Sequence, residues 1–176
     1  MDQRWYHITW LMFHKITVFP INYKKSKYYR KFFLSFIKLI PCYGCMRHYE
    51  LNILYPTNDM KLNLSNNKLF EWTIDLHNKV NQMNKKQIWT YNKSRKYYQE
   101  LILTNDDILC FIENYIIKNY LYHKEELKNM IESFFKILPD YYNDNSKEVK
   151  KILLNRVKDK NDILSNIAPS TFIHFN

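Results

Sequence analysis

Apolar positions along this chain recur mainly at offsets of three and four, the period of helices with one buried face. The first such run predicts a helix from Gln3 to Phe19, ended by Pro20, with Trp10, Phe13, His14 and Thr17 on one side. A second covers Ser26 to Ile40, with Phe33, Phe36, Ile37 and Ile40 as its apolar stripe. Pro41 stops it and is expected to open the next helix, since a first turn has no use for the missing N–H. That third helix starts with Cys42 and Cys45 and runs to Tyr55. A polar, Asn-rich loop follows, then a fourth helix over Asn67 to Asn84 carrying Leu69, Trp72, Leu76, Val80 and Met83 at bundle spacing. A short fifth is expected over Ser94 to Leu103.

Beyond Thr104 the pattern restarts, with Asn105, Asp106 and Asp107 as capping material and Ile108, Phe111, Ile112 and Tyr115 on one face. Further helices are expected over His123 to Leu138 and Ser146 to Lys158, before a tail from Asn161 with no clear period. The expectation is thus an all-α chain: a four-helix bundle with a short fifth helix over residues 1–104, and a C-terminal helical extension of unassigned role over 105–176.

Composition agrees, because one Gly and five Pro in 176 residues supply few of the turns that a many-stranded sheet needs. The net charge of +10 suits a polyanion partner, but Lys and Arg are dispersed without a run of five or six. They read as solvated helix faces, which argues against nucleic acid as the partner. Three cysteines cannot build a secreted disulfide framework. Neither a secretory leader nor an apolar stretch long enough for a membrane span is evident, so a soluble protein of the cytoplasm, not secreted and without a membrane partner, is expected.

In that setting Cys42-Tyr43-Gly44-Cys45 is the segment with chemistry. Two cysteines at this spacing opening a helix lie within bonding distance, and the helix N-terminus lowers the thiol pKa of the first. Half of a zinc site would have the same spacing. A thioredoxin would need a strand before the pair, whereas a helix precedes it here, so another electron acceptor is required. A flavin is suited to that role, since it couples two-electron thiol oxidation to reduction of O₂.

Pro41 with the stretch Cys42 to Tyr49 resembles the PCxxCxxHF signature of the Erv/ALR family of FAD-linked sulfhydryl oxidases. His77-Asn78-Lys79-Val80-Asn81 is similar to that family's HNxVN, with Trp72 five residues before it, and Trp10-Leu11-Met12-Phe13-His14 is similar to its WxxLH. Lys85-Lys86-Gln87-Ile88-Trp89 falls where the family has LGKPxF, placing Lys86 at the lysine, with Asn84, Lys85 and Gln87 departing from the pattern. The likeness spans residues 4–100 and is greatest to the short members encoded by large cytoplasmic DNA viruses. It therefore implies a host-cytoplasm or virion location.

The resemblance implies FAD as cofactor, Cys45 as the sulfur beside the isoalloxazine and Cys42 as the outer one that exchanges with substrate. It places His48, Tyr49, His77, Asn78, Val80, Asn81 and Tyr98 around the cofactor, with Lys86 near its phosphates. Trp10 and His14, one turn apart, would wall the same slot. The implied reaction oxidises a protein dithiol, or a small thioredoxin-like carrier, and delivers the electrons to O₂ as hydrogen peroxide. A homodimer through the first helices is also implied, with Ile8, Leu11 and Met12 available for the contact. Cys110 has no second cysteine to make a shuttle pair, and the neighbouring Asp106, Asp107 and Glu113 would raise its thiol pKa, so it is read as unreactive ahead of an intersubunit partner. His7, His123 and His174 match no motif. The rival from another class is a zinc-binding helical interaction module using Cys42, Cys45 and His48, with His77 as a fourth ligand.

Overall fold

The computed structural model describes residues 4–55, 68–119 and 122–138, and in them the chain is all helical. The helices are α1 (Arg4–Thr17), α2 (Ser26–Leu39), α3 (Tyr43–Leu54), α4 (Lys68–Met83), α5 (Tyr91–Glu100), α6 (Asn105–Asn119) and α7 (Lys124–Ile137), with a 3₁₀ turn at Tyr23–Lys25 before α2. The expected Asn-rich loop, the helix over Ser146 to Lys158 and the tail from Asn161, with His174, lie outside the described residues.

Helix ends are set by local chemistry. Ile40 is extended, as a residue before proline must be. Pro41 does not open α3, because Cys42 is its N-cap and leaves the proline one residue outside the helix. Thr104, ahead of the acidic residues expected to cap α6, shares three hydrogen bonds with Asp107: Asp107 N–H donates to Thr104 Oγ1, and Thr104 N–H and its hydroxyl donate to Asp107 Oδ2. The last turn of α4 closes with Lys86 N–H on Asn81 O and Lys85 N–H on Gln82 O, the Schellman pairing. Lys85 takes the required left-handed conformation at φ 53°, at the position where the family pattern has glycine. The fifth helix begins earlier than expected, at Tyr91, because Thr90 caps it by accepting from Lys93 N–H.

One apolar cluster runs through α1, α2, α3, α4, α6 and α7. α2 packs most extensively on α7, while α1 lies between α4 and α6. Phe32 stacks on Phe134 at 5.7 Å, Phe111 meets Phe134 at 5.1 Å, and Phe36 meets Tyr115 edge-on at 5.0 Å. The helices beyond residue 104 thus fill the side of the core that α2 presents. Of the expected α2 stripe, Phe33, Phe36 and Ile40 are buried and Ile37 is only half-buried, while Phe32 and Leu39 join it. Met83, expected on the apolar side of α4, is exposed because α4 ends there. Ile8 and Met12, offered by the pattern for a contact between subunits, are instead buried in the chain's own core. Among the described residues no helix is long and apolar enough to cross a membrane.

Candidate functional site

Cys42 and Cys45 are joined in a disulfide, Cα to Cα 5.2 Å, at the start of α3. As N-cap, Cys42 Sγ accepts from Cys45 N–H at 3.3 Å. When the bond is reduced, that donor and the helix dipole stabilise a thiolate on Cys42. Cys42 packs partly against the core, whereas Tyr43, Gly44 and Cys45 are exposed. A methyl group at Gly44 would meet nothing within 4 Å, so the disulfide is open to a large partner on this side.

Cys45, His48 and Asn52 follow one another at offsets of three and four, along one face of α3. Asn52 Nδ2 donates to His48 O at 2.8 Å and lies 3.3 Å from His48 Nε2. Lys79 Nζ of α4 donates to Asn52 Oδ1 at 3.1 Å, which ties this face to the helix that bears His77. Burial first, and then the Lys79 charge, lower the pKa of His48. Tyr49 points the other way: its hydroxyl donates to Phe33 O at 2.8 Å, and its ring lies in the core beside Phe13 and Phe36.

Where α1 meets α4, four of the expected residues come together. The indole of Trp10 stacks on His77 at 4.2 Å with 3° between the planes. His14 Nε2 lies 2.9 Å from His77 Nδ1, and the two rings are within 15° of coplanar, so the histidines form one nearly continuous plate beneath the indole. Tyr98 closes the buried end, 4.7 Å from His14. Trp10 and His77 are only half-buried, and His77 Nε2 makes no hydrogen bond to the described residues.

Burial lowers His14 well below the usual histidine value, with the His77 charge adding to it. His77 is lowered to about 4 by burial first, and then by Lys86 and His7. Both rings are therefore neutral at physiological pH. Lys86 itself is exposed, 5.9 Å from the ring of Tyr6. His7, which matched no motif, joins the site through its field at His77.

The two asparagines of the HNxVN stretch hold backbone. Asn78 Nδ2 donates to Trp89 O at 2.8 Å and Asn78 Oδ1 accepts from Trp89 N–H at 2.9 Å. Asn81 Nδ2 donates to Gln87 O at 3.2 Å. Together they fasten the segment after α4, in which Lys86 lies close enough for its charge to act on His77 and Trp89 lies 6.3 Å from Tyr98. Val80, half-buried, is on the same helix turn.

Sequence reasoning missed Thr73, Asn52, Lys79 and Lys15. Thr73 Oγ1 lies 3.0 Å from His14 Nδ1 and, one turn before His77, was legible only as another buried position of α4. Lys15 is buried, against the reading of the lysines as solvated, and donates to Tyr98 O at 2.8 Å at the end of α5. Cys110 is half-buried on α6, where Asn114 Nδ2 donates to its sulfur at 3.4 Å. The zinc set of the rival reading is not assembled: Cys42 and Cys45 are bonded to each other, and among the described residues no three His, Cys, Asp or Glu are grouped to hold a metal.

Comparison with known proteins agrees with the motifs. A model of the Erv1 / Alr family matches residues 7–99. The chain is 35% identical over 94 residues to a probable FAD-linked sulfhydryl oxidase of Acanthamoeba polyphaga mimivirus, an alignment covering 51% of this chain and 64% of that relative. The chain therefore spans just under two thirds of the length of the curated relative it matches. No solved structure matches it.

Proposed function

Because this chain belongs to the Erv1/Alr family, we propose that it is an FAD-dependent sulfhydryl oxidase that makes disulfide bonds in other proteins. One arrangement carries the reading: α3, which opens with an accessible disulfide, is tied through Asn52 and Lys79 to α4, whose His77 forms a flat plate with His14 under the indole of Trp10. The donor set fits FAD. Coplanar rings with an accessible edge suit a flat heterocycle, and the Lys86 ammonium beside His77 suits a diphosphate. Trp10 and His77 would hold the rings, backed by the buried His14 and Tyr98, with His48 and Val80 alongside and Lys86 at the phosphates. Asn78 and Asn81 act by fixing the segment that carries Lys86, and Tyr49 by seating α3 on the core. Bound FAD supplies a two-electron acceptor that O₂ can reoxidise, with hydrogen peroxide as product.

The chain's own part of the reaction is thiol–disulfide exchange. A thiolate of the substrate attacks Cys42 Sγ, the Cys42–Cys45 bond breaks, and Cys45 leaves as thiolate. The second substrate thiol then attacks its mixed-disulfide partner, and Cys42 leaves as thiolate. Cys45 N–H assists that departure, because it already donates to this sulfur. The substrate has lost two electrons and two protons, and Cys42 and Cys45 hold them as a dithiol until the pair is reoxidised. His48, neutral because its pKa is lowered, stands one turn from Cys45 as a proton acceptor for that thiol.

The exposed first residues of α3, Tyr43 and Gly44, next to Cys42, suit a protein dithiol or a small thioredoxin-like carrier as substrate. We keep residues 1–104 as the oxidase domain and 105–176 as its extension, the described helices of which share the same core. A homodimer through α1 is part of the proposal, with Leu11, half-buried, as the apolar residue still available for it. The likeness to a viral relative supports a viral setting as part of the proposal, in host cytoplasm or virion. The reading is tested by oxygen uptake with dithiothreitol: the FAD-loaded chain should consume O₂, and Cys42→Ser or Cys45→Ser should remove at least about a thousand-fold of that rate. Undiminished turnover in either variant refutes the mechanism.

A further inference from the structure

We propose that the buried chain Thr73–His14–His77 fixes the tautomer of His77, leaving Nε2 as a bare lone pair that accepts a hydrogen bond from an N–H or O–H of the cofactor. This rests on the FAD reading only for the identity of the ligand. The polarity itself follows from counting protons along three short contacts.

A threonine hydroxyl has one proton to give. In Thr73 it goes to Phe70 O, 2.8 Å away and one turn back on α4. The oxygen then offers only lone pairs to His14 Nδ1 at 3.0 Å, so that nitrogen carries hydrogen. A neutral imidazole has one N–H, which leaves His14 Nε2 bare. Across 2.9 Å it must therefore accept from His77, whose proton is on Nδ1. His77 Nε2 is left without one.

Two neighbours support this order of protons. The hydroxyl of Thr17, 3.5 Å from that of Thr73, already donates to Phe13 O at 2.7 Å and has no proton for its neighbour. On the outer side, the positive charge of Lys86 acts on His77 and disfavours a second proton on its ring. Were Thr73 instead to donate to His14, every bond would invert and His77 would present a donor.

Thr73 and His14 are thus positioning residues. They do not touch the ligand edge, but they decide which half of a hydrogen bond His77 can offer it. A ligand group with only lone pairs to present would meet the lone pair of Nε2 and be repelled. Nothing in the motifs marks Thr73, which lies outside HNxVN, four residues before His77.

The test is ¹⁵N NMR of the full-length chain with labelled histidine, stripped of flavin and then reconstituted with FAD, beside fluorescence titration of FAD into the stripped protein. In the wild type at neutral pH, His77 should show a protonated Nδ1 and an unprotonated Nε2 whose resonance shifts when FAD is added. Thr73→Val should lose the single tautomer and weaken FAD binding by roughly ten-fold, the effect of one hydrogen bond, and Thr73→Ser should restore both. A protonated Nε2 in the wild type overturns the proposal, and so does unchanged FAD affinity in Thr73→Val. Should the valine variant fail to fold, the wild-type spectrum decides alone. A wild type with the stated tautomer that takes up no FAD refutes the oxidase reading while upholding the proton order.

Discussion

α1 buries residues of similar size on two sides under different rules. Toward α2, Phe13 packs edge-on against Phe32, Phe33 and Phe36, at 5.9, 5.0 and 4.8 Å, with nothing specified beyond shape. Toward α4, His14 is equally buried, but both of its ring nitrogens are paired, to Thr73 and to His77. An apolar contact is non-directional and tolerates swaps that conserve volume. A buried polar chain fixes donor and acceptor at every step, and losing one member leaves its neighbour unsatisfied. One side of the helix supplies stability and the other uses it to hold a site.

The largest effect expected from this contrast comes from deleting residues 105–176. Phe111, Tyr115 and Phe134 leave with them, and the aromatic side of α2 is laid bare. The shortened chain should show no cooperative thermal transition; a sharp melt like that of the full chain would show α6 and α7 to be dispensable. Next, Phe13→Ala should cost about 3–5 kcal/mol in urea unfolding and Phe13→Leu less than about 1.5 kcal/mol. Equal losses in the two would mean that shape is not what this side requires.

The polar side has a pH signature. Unfolded histidines take up a proton near their ordinary value of about 6.5, while His77 resists until about 4 and His14 is also depressed. Between those limits the unfolded chain binds more protons, so stability is complete above the upper limit and falls as pH drops toward the lower. The slope is up to about 1.4 kcal/mol per pH unit for each histidine. Urea midpoints across that window should show this, and His14→Leu should give a shallower dependence. A flat profile in the wild type would mean that the two rings are solvated.

The smallest effect has the opposite sign. Lys85 holds a left-handed conformation without being glycine, so Lys85→Gly should raise stability by up to about 1 kcal/mol. A loss would mean that the Lys85 side chain contributes more than its backbone costs.

Helix existence was legible because three-and-four spacing survives in almost every element, and the tightly spaced motifs picked out Trp10, His14 and His77 before their rings could be seen to stack. What stayed hidden depends on neighbours that are distant in sequence. The stripe of α2 widened to Phe32 and Leu39 because α7 covers that side, and nothing in α2 announces its partner. Thr73 and Lys15 read as a filler and as a surface charge, since only the packed structure supplies His14 to the one and the α5 carbonyls to the other. Pro41 was placed two residues too far into the helix because a cysteine N-cap is rare in the preferences that guide such readings. The extension carries no motif, and its place in the core followed from none of the local patterns.

On the reading proposed above, the disulfide of α3 and the ring plate of α1 and α4 serve one flavin. This is tested most directly by mixing the FAD-loaded chain with dithiothreitol under strict exclusion of oxygen and following the yellow absorbance. Rapid bleaching is expected in the wild type, with a Cys45→Ser variant that retains FAD but stays yellow. Bleaching at the same rate in the variant, or a wild-type protein that holds FAD yet is not reduced through its cysteines, would contradict it.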